Sequence, residues 1–327
     1  MTQAVDYRRY GLTNGNPYVN RPLDPSCDTD QELFLNLAVL PPLDTIRNHI
    51  ARKAQGDGST AFLLSGRSGA GRTTLAHMIV KLYREMHGID ETFHLARFNK
   101  KDHDSLARTH RVLQSVRNEV MRRHGDRRQE LKAAIPDIVD PNINEYGLQG
   151  QADHLADVMQ DVKPRMHLGL LIDGVQDDAF MDTMATVFER VPAVIIVTRD
   201  EYRTADTASA KGLAERPEWQ QWAMHMHLRS LPGDDVEQIT ANRWRAAAGQ
   251  VECPFELVGV RGALGQRRLP VGSAIKWLSW LMEGKLTTTK GDQRWPDARE
   301  LHITADWIES VVKWGGNAPR SEGVHDD

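Results

Sequence analysis

The densest chemistry in the chain lies in one short run, Gly66-Arg-Ser-Gly-Ala-Gly-Arg-Thr-Thr74. Its spacing is that of a phosphate loop, G-x-x-x-x-G-K-[ST], with Arg72 at the lysine position. Glycines there let the backbone take positive φ and turn its N–H groups onto an anion, and a helix N-terminus behind the loop adds partial positive charge. The candidate phosphate contacts are therefore Gly66, Ser68, Gly69, Ala70, Gly71, Arg72, Thr73 and Thr74. The Thr73 hydroxyl is placed to ligate Mg²⁺. The bland alternative is a glycine-rich strand-to-helix turn with no ligand. An apolar run in front, a helical pattern behind and the paired threonines favour phosphate. Arg72 changes the chemistry, because a planar guanidinium prefers bidentate pairing where lysine offers a compact charge. Binding survives such an exchange, whereas the alignment needed for phosphoryl transfer suffers.

A phosphate loop needs a metal-orienting acid at the tip of a neighbouring strand. Leu168-Gly-Leu-Leu-Ile-Asp173 supplies one, with Asp173 as the second Mg²⁺ ligand. An ATPase of the common kind follows this acid with a glutamate that activates water, but here Gly174-Val-Gln-Asp177-Asp178 follows. Asp177 or Asp178 could stand in from the next turn; a helix cap is the favoured role for this pair. Thr198 ends the run AVIIVT and either reads the γ-phosphate or the attacking water, or simply closes a buried strand.

These residues must be carried by regular elements. The runs 61–65, 92–98, 167–173 and 193–198 read as strands, with 224–231 a weaker one, and helical patterns at 73–86 and 179–190 alternate with them. That alternation predicts an α/β fold, a three-layer core around a parallel sheet. After Leu231 strand patterns stop, and 234–249, 272–284 and 303–314 read as amphipathic helices. The expected organisation is an N-terminal arm over 1–40, an α/β domain over 41–231, a small all-helical lid over 232–314 and a disordered tail over 315–327. All eight tryptophans lie in the last third, six of them in the helical module.

The order of parts resembles the AAA+ P-loop ATPases, in the branch of the ExeA-type, TniB/TnsC-type and Orc-like proteins. Tyr10-Gly-Leu-Thr-Asn-Gly-Asn-Pro-Tyr18 is similar to that family's N-terminal arm, the phosphate loop and the Asp173 strand follow, and Leu228-Arg-Ser-Leu-Pro through Gly249 resembles its entry to the lid. Gly265-Gln-Arg-Arg-Leu-Pro270 resembles the stretch that sets a sensor arginine on the nucleotide. The resemblance implies ATP or ADP with Mg²⁺ as cofactors, Tyr10 near the adenine, and Arg267 or Arg268 coupling the lid to the γ-phosphate. It also implies a homo-oligomer completed by an arginine finger, for which Arg203 and Arg216 lie in the right interval. Arg72 and Gly174 depart from the family at two positions needed for hydrolysis. The expected activity is a nucleotide-dependent switch or assembly factor with weak or absent hydrolysis. The alternatives are an active ATPase acting on a DNA-bound complex and a scaffold without nucleotide.

Composition narrows the classes. The formal net charge is −4 from 41 basic and 45 acidic residues, yet residues 97–128 hold ten Lys/Arg against four acids. That +6 segment could track a nucleic-acid backbone or an acidic protein partner, or form a solvated helix face. Two distant cysteines exclude a disulfide scaffold and a zinc module, and no apolar run is long enough to span a membrane, so a cytoplasmic protein is expected. His225 and His227 alternate on one strand face without a third ligand, which makes a poor metal site. Trp277 and Trp280, three apart on a helix, read as core.

Overall fold

In the computed structural model, the described residues are 5–35, 37–54, 59–89, 95–98, 105–123, 150–151, 153, 155, 157, 167–175, 178–188, 191–200 and 222–314. The sheet has five strands: β1 (Thr60–Gly66), β2 (Leu95–Phe98), β3 (Leu168–Ile172), β4 (Ala193–Asp200) and β5 (Ala223–Leu228). Their order is β2-β3-β4-β1-β5. The β1–β4, β3–β4 and β2–β3 pairs are parallel, with Leu64 opposite Thr198 and Phe98 opposite Ile172. β1, β3 and β4 are buried along their whole length, as strands covered on both faces must be. The α/β class expected from the sequence is the class observed.

The chain forms two compact units. One comprises Pro42–Gly66 and Met78–His227 and holds the sheet. Its helices include α2 (Leu43–Ala54), α4 (Ser105–Arg123) and α5 (Asp178–Phe188). Val112, Leu113, Val116 and Val120 recur at helical spacing on α4 and pack with Phe180, Met184 and Phe188 of α5 over β3 and β4.

The other unit comprises Met1–Pro41, Arg67–His77 and Leu228–Asp327. It holds a short helix α1 (Asp28–Gln31), the start of α3 (Arg72–His87), and the helices α6 (Gly233–Ala248), α7 (Leu257–Gly265), α8 (Val271–Thr288) and α9 (Ala305–Trp314). Tyr10, Leu12 and Tyr18 of the arm share one core with Trp244, Phe255, Leu278 and Ile303. The arm is also laced to α6 through polar groups. Asp235 accepts the Ala38 and Val39 amides at 3.1 and 3.4 Å, the Tyr18 hydroxyl donates to the Thr240 carbonyl at 3.1 Å, and Arg243 donates to the Pro17 and Val19 carbonyls. Helix α7 is absent from the sequence expectation. Among the described residues, no helix is long and apolar enough to cross a membrane.

Candidate functional site

β1 runs into the glycine-rich loop and α3 runs out of it. Gly69 and Gly71 sit at φ +78° and +92°, so the loop's curl depends on residues without a Cβ. Arg67, Ser68 and Gly69 are exposed, Ala70 is buried, and Gly71 to Thr74 are half-buried. The Ala70 amide closes a turn onto the Arg67 carbonyl at 3.0 Å, and the first helical bond runs from the Leu75 amide to the Gly71 carbonyl at 2.9 Å. The amides of α3's first turn have no partner four residues back, the arrangement that attracts an anion. The Thr73 hydroxyl makes no hydrogen bond among the described residues.

Thr74 has a second task. Its hydroxyl accepts the Leu23 amide at 3.1 Å, and His77, one turn further along α3, donates from Nδ1 to the Leu23 carbonyl at 2.9 Å. The first turns of α3 therefore grip the arm's main chain. From another side, the Gly272 amide at the start of α8 donates to the Gly69 carbonyl at 2.7 Å. A Cβ on Gly272 would lie 3.2 Å from that carbonyl and 2.9 Å from Asn20 Oδ1, so a larger residue would have to push Asn20 aside and loosen the approach. Neither contact was legible in motif spacing, although Gly272 and His77 stand at fixed offsets from helix starts.

Tyr10 is fully buried, edge-on to Trp244 at 6.0 Å, with its hydroxyl donated to the Leu301 carbonyl at 2.8 Å. Arg267 donates to the Val312 carbonyl at 2.7 Å and lies over the Trp277 ring at 4.9 Å. Arg268 is exposed, makes no side-chain hydrogen bond among the described residues and has φ +49°.

The acid expected at the end of β3 belongs to the sheet-bearing unit. Asp173 is half-buried there, and its amide donates to the Phe98 carbonyl at 2.9 Å. Thr198, 1% exposed at the neighbouring strand, donates its hydroxyl to the Asp173 carboxylate and accepts the Gly174 amide at 3.1 Å. The Val175 amide reaches the Thr198 carbonyl at 3.0 Å. Thr198 is thus joined to Asp173 directly. Gly174 is buried at φ +71°, and its carbonyl accepts Arg108 Nη1 at 3.3 Å. Arg108 belongs to the basic stretch but is 7% exposed, and Arg122 of that stretch is paired to Glu119 at 2.7 Å. Arg97 and Arg111 are exposed. Asp177, Arg203 and Arg216 lie outside the described residues, as do the tail over 315–327 and Lys100, Lys101, Arg127 and Arg128.

In the same unit, two imidazoles converge on the Ser65 hydroxyl, His225 Nε2 at 2.9 Å and His227 Nδ1 at 3.1 Å. Loss of water, then the charges of His227 and Arg199, holds His225 below its ordinary value. Among the described residues no three His, Cys, Asp or Glu side chains form a metal-binding group. An Mg²⁺ ion does not require one, since it favours oxygen donors and keeps its waters. A threonine hydroxyl and a carboxylate fit that preference.

No family model matches the chain, and no curated protein matches it. Solved structures do. The ORC2 protein of Aeropyrum pernix in its ADPNP–ADP complexes is similar with a TM-score of 0.55 at 14% identity, over 94% of this chain and 73% of that one. The ADP form of ORC2 gives 0.50 at 14%, over 87% and 72%. The RuvB T158V variant of Thermotoga maritima gives 0.44 at 15%, over 86% and 73%. The likeness to ORC2 is one of architecture, and the chain has the AAA+ P-loop fold.

Proposed function

We propose that the protein is an ATP-binding switch or assembly factor in which hydrolysis is weak or absent. The observation that carries this is the bond from the Gly272 amide to the Gly69 carbonyl. A phosphate drawn into the loop by its amides would bear on the Gly69 peptide, and α8 is attached to that peptide. Nucleotide occupancy thereby becomes a position of the helical lid. The ADP and ADPNP complexes of ORC2, whose fold is shared, support a nucleotide as the ligand.

Ser68 to Thr74 would hold the phosphates. Thr73 and Asp173 would supply oxygen ligands to Mg²⁺, which offsets phosphate charge when bound. Thr198 keeps one Asp173 oxygen occupied and so fixes the carboxylate's rotation. Position 174 offers no base for water. It is a buried glycine in the left-handed region, where a glutamate would be strained. Arg72 weakens transfer chemistry independently. The switch would act through a second copy of the chain or another protein.

The test is thermal unfolding with ATP or ADP, with and without Mg²⁺, alongside phosphate release. At a hundred times its dissociation constant a ligand stabilises by about 2.7 kcal/mol, so ATP should raise the melting temperature measurably. Phosphate release should stay at background. No shift at millimolar ATP would sink the proposal. Steady Mg²⁺-dependent release that Asp173→Ala abolishes would replace the switch with a working ATPase.

A further inference from the structure

A guanidinium buried in a protein is expensive unless its surroundings repay the loss of water. Arg108 accepts that cost at a telling place. It stands one turn into α4, is 7% exposed, and spends Nη1 on the carbonyl of the residue that follows Asp173. The amides of the turn it meets are each held by a neighbouring strand. The Asp173 amide goes to Phe98, the Gly174 amide to the Thr198 hydroxyl, and the Val175 amide to the Thr198 carbonyl. The Gly174 carbonyl is instead served from α4, by Arg108 Nη1. Its φ of +71° takes the backbone out of the extended conformation of β3 at this residue, and a buried carbonyl there requires a donor, which Arg108 supplies.

We infer that Arg108 is a positioning residue for Asp173: it locks the Gly174 peptide and so fixes the direction in which the carboxylate presents its oxygen to Mg²⁺. The inference rests on the nucleotide–Mg²⁺ reading proposed above. It also removes Arg108 from the basic surface, since a side chain this buried cannot track a phosphate backbone. Groups that orient a metal ligand from behind commonly govern metal affinity by about 10- to 100-fold.

The experiment uses the full chain and titrates Mg²⁺ at fixed ATP, following the nucleotide-induced rise in melting temperature. ATP binding in EDTA is measured in parallel. Arg108→Met should raise the Mg²⁺ midpoint by about tenfold while leaving metal-free ATP affinity within about twofold. Arg108→Lys and Arg108→Gln each keep an N–H donor and should raise the midpoint by about threefold. A merely structural role for Arg108 would lower the melting temperature and leave the Mg²⁺ midpoint where it was, which overturns the inference. Equal loss of metal-free and metal-bound affinity overturns it as well. Should Arg108→Met not fold, an unmoved midpoint in both the lysine and glutamine variants has the same force. If the wild-type chain shows no nucleotide effect, the functional reading falls and takes this inference with it. A wild-type effect with unmoved variants removes the inference alone.

Discussion

Arg268 combines two properties that rarely coincide, an exposed side chain and a left-handed backbone at φ +49°. A non-glycine residue there costs about 1–2 kcal/mol, and glycine's extra freedom in the unfolded chain offsets part of any relief. Arg268→Gly should therefore stabilise the chain by about 1 kcal/mol in urea unfolding. If Arg268 also senses nucleotide, the same variant loses part of the ATP-induced rise in melting temperature. A strained residue that improves stability and costs response when replaced is under functional constraint. His49 makes a separate prediction. It is 8% exposed, edge-on to Phe62, and burial pushes its value down to about 4, against a hydrogen bond with the Ala61 main chain. A histidine with a depressed folded value binds its proton more readily unfolded. Its contribution is present above about pH 6.5 and is lost as pH falls toward 4, up to about 3 kcal/mol. His49→Phe should flatten the fall in melting temperature between pH 6.5 and 4. An unchanged slope would show that other groups set the acid limb.

Helix α7 shows how a helix can escape a sequence reading and still be required. Its run LVGVRGALG contains three glycines, each costing a helix about 1 kcal/mol relative to alanine, which hides the apolar spacing. The structure explains two of them. A Cβ on Gly259 would come within 2.6 Å of Ala305 Cα on α9, and one on Gly265 within 2.5 Å of Gly233 Cα on α6. These glycines let three helices approach backbone to backbone. Gly262 meets nothing within 4 Å. Gly259→Ala should thus destabilise by about 1–3 kcal/mol through overpacking, while Gly262→Ala on the same helix should stabilise by up to about 1 kcal/mol. Equal effects of the two in denaturant titrations would refute close packing as the reason. By contrast, β1, β3, β4 and the start of α3 were legible, because continuous apolar runs and a loop with obligatory glycines leave few alternatives. The Asp173–Thr198 bond was not, since it depends on strand order, and the roles of Arg108 and Gly272 depend on which elements meet.

At the scale of the molecule, tryptophan asymmetry announced two kinds of structure, but composition could not say what fills the tryptophan-rich core. A Pro-, Asn- and Gly-rich arm reads as irregular because its hydrogen bonds are made elsewhere. Tyr18 reaches Thr240, Tyr10 reaches Leu301, and the Arg9 carbonyl accepts the Trp295 amide at 2.8 Å. Tyr10 and Tyr18 rank among the largest fully buried side chains of the described residues. Removing two such rings from a packed core costs about 3–5 kcal/mol each, comparable to the whole stability of a domain. The arm's side chains are part of the helical region's interior, so that region is expected not to fold without them. Deleting residues 1–24 should shift tryptophan emission to longer wavelength, because Trp244 and Trp295, now 2% and 4% exposed, would meet water. Cooperative unfolding of that unit should be lost with it. Tyr18→Phe removes only the bond to Thr240 and should cost about 1 kcal/mol with unchanged emission. If the deletion leaves both emission and unfolding as in the intact chain, the arm is an appendage. A nucleotide switch that moves α8 would then have to work without it.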